Sequence, residues 1–163
     1  MEVCSSAYGN TGWLGVAQIW LSGGHIAQGA VKLNDTYFST STYNTPAWRN
    51  LVTCQEVGHT FGLAHQDENF SNPPLGSCMD YSSDPTPNQH PNAHDYEELG
   101  IIYAHVDATT TVGAMPAAMA TGNLSHPGTW GESVESTHGG RQETYVRDFG
   151  GGHSVITFVT WAE

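Results

Sequence analysis

Basic residues are nearly missing from this chain. Four Lys and Arg stand against sixteen Asp and Glu, a formal charge of −12. A surface this acidic disfavours nucleic acid and anionic membrane as partners. Long apolar runs are missing too: no stretch approaches a transmembrane span, and none with the pattern of a secretory leader opens the sequence. Cysteine is scarce and odd in number, at Cys4, Cys54 and Cys78. An odd cysteine in a secreted protein implies either a missing partner or a buried thiol, and Cys4 leaves both open. The chain is still not of disordered type, because aromatic and β-branched residues are plentiful. Its 163 residues suffice to bury one good core.

What the sequence does contain is concentrated in residues 54–67, CQEVGHTFGLAHQD. Thr45 can cap a helix that Pro46 opens and that Trp48, Leu51, Val52, Val57 and Phe61 carry to Gly62. Gln55 and His59 are then one turn apart on one face, with Glu56 beside them. A glycine at 62 can take positive φ and turn His65 back toward the same point. Two histidines, a third donor and a carboxylate suit a zinc ion that keeps an open position for water, with Glu56 as general base. Gln55 leaves three arrangements open. Its amide oxygen completes a Gln-His-His site as a weak third ligand, another side chain such as Asp67 or Asp80 completes a two-histidine site, or the site holds little metal.

Apart from Gln55, the segment matches HExxHxxGxxH. Met79 follows His65 by fourteen residues, with Tyr81 two further on in CMDYSSDP. On these residues the chain resembles the metzincin metallopeptidases, with a Met-turn similar to that of pappalysin-like and astacin-like members and Gln in the first ligand place. The resemblance covers roughly residues 12–106. It implies an α+β fold, with a twisted, mostly parallel sheet, an active-site helix, the Met-turn and a C-terminal helix. It implies Zn2+ on Gln55, His59 and His65, with Glu56 and Tyr81 catalytic and Met79 as an apolar floor. It also brings Cys54 and Cys78 together beneath the metal, hence an expected disulfide. Asp67 is expected to support His65 from behind, with a solvated loop or a Ca2+ ligand as its other readings.

The implied activity is that of a secreted endopeptidase, with Glu56 as base for metal-activated water and an extended peptide paired along strand 25–33. The alternative is a catalytically silent binding module with weak or no zinc, and a third class is a calcium-stabilised adhesion domain. Strands are expected over 13–20 and 25–33, and a helix from Asn92 or His94 to about His105. Three further strands are expected over 130–136, 143–149 and 154–161, with turns at 138–140 and 150–152. The organisation predicted is a catalytic domain over 1–107, N-terminally truncated and lacking any pro-segment, a linker over 108–127, and a small antiparallel β extension over 128–163.

Overall fold

A computed structural model describes residues 1–67, 69, 72–80, 82–106, 119, 122–137 and 141–162. Six strands form one sheet: β1 (Glu2–Ser6), β2 (Trp13–Ser22), β3 (His25–Asn34), β4 (Glu132–Thr137), β5 (Gln142–Gly150) and β6 (His153–Trp161). Their order is β1-β3-β2-β6-β5-β4. Only β1 and β3 run parallel, and the other four pairings are antiparallel. Among the described residues three α-helices accompany the sheet, α1 (Asp35–Phe38), α2 (Pro46–Thr60) and α3 (Ala93–Ile102).

This corrects the expected fold class. The sheet is mixed and mostly antiparallel, not mostly parallel, and the chain is mainly β. The reason is the place of the C-terminal strands. Instead of forming a small unit of their own, they extend the sheet from β2, with β6 in register from Trp13↔Trp161 to Ser22↔His153. The expected substrate strand is likewise an internal one, because β3 is paired to β1 on one side and β2 on the other. The expected linker lies outside the described residues except for 119 and 122–127, as does the turn at 138–140.

β2 is buried over residues 13–20, as its near-continuous apolar composition requires of a strand covered on both faces. Trp13, Val16 and Trp20 meet Val155 and Val159 of β6, and Leu124 and Trp130 close that face. Leu14 and Ala17 point the other way, onto Phe38 and Val52 of α1 and α2. The register of β2 against β6 shifts between Trp13 and Gly15, so Leu14 and Gly15 both turn toward α2. Gly15 is where helix and sheet approach most closely. A Cβ there would lie 2.6 Å from Val52 Cγ1 and 2.7 Å from Glu56 Oε1.

Candidate metal centre

Helix α2 begins as its sequence dictates. Thr45 accepts a hydrogen bond from the Trp48 N–H, Pro46 occupies the first turn, and Gly62 follows the helix with φ of 91°. Gln55, Glu56 and His59 are all buried. Beyond the turn, Gln66 fixes the returning strand, its N–H donating to the Met79 carbonyl at 2.8 Å and its side chain donating to Asn92 and Asp95 at the start of α3. That tether sets His65 against His59, with their Nε2 atoms 3.1 Å apart. His59 Nδ1 lies 2.8 Å from the Leu63 carbonyl, which has no proton to give, so Nδ1 carries the proton and Nε2 offers a lone pair toward His65. Bonds of about 2.0–2.1 Å to a tetrahedral zinc would set two nitrogens about 3.3–3.4 Å apart, close to this spacing.

Burial governs the electrostatics. It lowers the His59 pKa to about 4, against smaller raising effects of the Leu63 carbonyl and the Glu135 carboxylate. It also drives His65 well below the ordinary range, helped by repulsion from His59. Both rings are therefore neutral at pH 7, the form that ligates metal. His59 also stacks on Phe158 of β6, ring centroids 4.1 Å apart and planes 5° from parallel.

Glu56 does not face open solvent. Burial raises its pKa to about 8, while bonds from Thr160 and the Ala17 backbone hold it down in part. Thr160 Oγ1 sits 2.7 Å from Glu56 Oε1 and 3.2 Å from Gln55 Oε1, and it has only one proton. The hydroxyl therefore donates to Glu56 Oε1 or to Gln55 Oε1, one at a time. Gln55 Oε1 also accepts from Gln142 Nε2 at 3.0 Å. Gln142 and Thr160, which close the site, face each other across β5 and β6. No motif in the sequence marks them, and only strand pairing could have found them.

Met79 is fully buried beneath Gly58, where an added Cβ would lie 2.5 Å from its sulfur. Cys54 and Cys78 form a disulfide with Cα atoms 5.8 Å apart, and Cys4 is a free thiol on β1. Tyr81 lies outside the described residues. Asp67 accepts from the Asn69 N–H at 2.8 Å and from the Asn72 amide. Asp80 accepts from the Leu75 N–H and from Asn88, at 2.8 and 2.9 Å. Among the described residues, no three His, Cys, Asp or Glu side chains are grouped to hold a metal. The Leu63 carbonyl meets His59, and the Gln142 carboxamide adjoins His65. Beside Gln55 opens a small cleft of about 40 Å³ lined by Trp48, Leu51, Arg141 and Trp161 among others.

No helix among the described residues is long and apolar enough to cross a membrane. No protein-family model, curated protein or solved structure matches this chain.

Proposed function

We propose that this chain is a secreted zinc-dependent endopeptidase of metzincin-like chemistry, with His59 and His65 as its nitrogen donors. The observation that carries this reading is the pair of neutral imidazoles, Nε2 to Nε2 at 3.1 Å, one helical turn from a buried carboxyl group. The Cys54–Cys78 disulfide is consistent with an oxidising, extracellular compartment. Bound zinc would polarise the scissile carbonyl and lower the pKa of water.

The chain's own residues supply the rest. Phe158 and Leu63 fix the His59 ring and its tautomer. Glu56, ionised, takes a proton from the attacking water as oxygen bonds to the carbonyl carbon. It then returns that proton to the amide nitrogen as the C–N bond breaks. The raised pKa makes Glu56 a stronger base once ionised, and Thr160 is placed to hold the carboxylate through both transfers. β2 and β3 have strand partners on both sides, so the extended peptide is read as entering by the cleft at Leu51 and Trp161 rather than by pairing with β3.

The test is metal analysis combined with cleavage of a quenched peptide. The purified chain should carry one zinc, and Glu56→Gln should lower cleavage at least about a hundredfold while zinc is retained. Unchanged cleavage would remove Glu56 from the mechanism. The second reading, a silent binding module, is favoured by the enclosure of Glu56 under Thr160 and by there being, among the described residues, no third His, Cys, Asp or Glu grouped with the pair. Zinc well below one per chain, with no cleavage after zinc is supplied, would select it.

A further inference from the structure

Gln55 holds the first place of the motif, yet its oxygen is already engaged. A carboxamide oxygen has two lone pairs. Gln55 Oε1 meets Gln142 Nε2 at 3.0 Å and Thr160 Oγ1 at 3.2 Å, so each lone pair already has a polar neighbour. The opposite holds for Gln142. This side chain is 7% exposed, its nitrogen is fixed on Gln55, and its oxygen is buried without a hydrogen bond. The Gln142 side chain also adjoins His65. A buried carbonyl oxygen with no donor is unfavourable and requires an explanation. Here it stands beside His65, which with His59 has, among the described residues, no third His, Cys, Asp or Glu grouped to hold a metal.

The geometry points to Gln142, carried in from β5, as the oxygen donor that completes the metal site with His59 and His65, while Gln55 positions it. This rests on the zinc reading above. It assigns the two glutamines different work. Gln55 accepts from the Gln142 nitrogen and so aims the other end of that carboxamide, and Gln142 supplies the oxygen to the cation. An uncharged amide oxygen is a weak donor for zinc, so the site is expected to bind the ion less tightly than three imidazoles would. The C-terminal strands thereby become part of the metal centre. The register between β5 and β6, Gln142 opposite Thr160, sets the donor's position.

Zinc affinity of the full chain, measured by competition with a chromophoric chelator, tests the assignment without reference to activity. Gln142→Glu replaces the amide by a carboxylate of the same reach and should tighten zinc binding about tenfold or more. Gln142→Ala should weaken it by about 10- to 100-fold. Gln55→Glu keeps an acceptor for the Gln142 nitrogen and should tighten binding less than Gln142→Glu does. The visible spectrum of the Co2+-loaded chain should change for both Gln142 variants, and circular dichroism reports whether each is folded. Tightening by Gln55→Glu with no response to Gln142→Glu would overturn the assignment and return Gln55 to the ligand set. Should Gln142→Ala not fold, Gln142→Glu alone decides between the two. An unaltered chain that takes up no zinc would overturn the zinc reading itself, and a chain that binds zinc with all variants equal would overturn only the role of Gln142.

Discussion

Glu56 shows how one side chain can serve both folding and chemistry. Its carboxyl group sits between β2 and β6 in space that Gly15 leaves open, and burial raises its pKa to about 8. A carboxyl group whose folded pKa is raised binds its proton more tightly in the native state than in the unfolded one. Its stabilising effect is therefore fully present below about pH 4.5 and is lost as pH rises through about 8. His59 works in the opposite sense. Its pKa falls from 6.5 to about 4, so its contribution is complete above pH 6.5 and declines as pH falls through 4. In a zinc-free sample held with chelator, thermal unfolding should show stability falling between pH 6.5 and 8. Glu56→Gln should abolish that fall while leaving the acid side of the profile in place. A variant that keeps the same decline would show that Glu56 is ionised in the folded chain.

At the scale of elements, α2 and its flanks were the most legible part of the sequence. Thr45, Pro46 and Gly62 act locally, through a cap, a fixed φ and a positive φ, so they mark the same helix whatever surrounds it. α3 was equally legible from Asn92, which accepts from the N–H groups of His94 and Asp95 while Asp95 reaches back to the Asn92 N–H. The disulfide followed from the resemblance and joins α2 to the Met-turn across 24 residues of chain. Closing a loop of that length stabilises the folded state by about 3 kcal/mol on the chain-entropy model. Reduction, or Cys54→Ala with Cys78→Ala, should lower the unfolding free energy in urea by about that amount. A change much below about 1 kcal/mol would mean that buried Met79 and Leu51 hold the turn without the bridge.

The whole molecule departs furthest from expectation. β6 lies beside β2 at the centre of the sheet, with Val155, Thr157 and Val159 buried, and Gln142 and Thr160 reach the histidine helix from strands about a hundred residues away in sequence. Without β6, one face of Trp13, Val16 and Trp20 would be left in water, so residues 1–107 should not fold as an independent unit. Produced alone, that segment should lack a cooperative thermal transition and should fail to protect its β2 amides from hydrogen exchange. A sharp transition in the isolated segment would restore the view of a self-contained first domain.

The sequence by itself determined the elements whose signals are local: the capped helix, the glycine turn after it and five of the six strands. It also determined that His59 and His65 could meet, because helix periodicity and one positive-φ residue bring them together within seven positions. Tertiary structure alone decided how those strands are ordered and what closes the histidine site. A strand's composition shows that it will be buried but not which strand will lie beside it. The partners of Gln55 and Glu56 depend on that choice. Hydrogen bonds from Gln142 and Thr160 exist only because β6 pairs with β2 and β5 with β6, and no short-range pattern in the chain encodes a pairing across that distance.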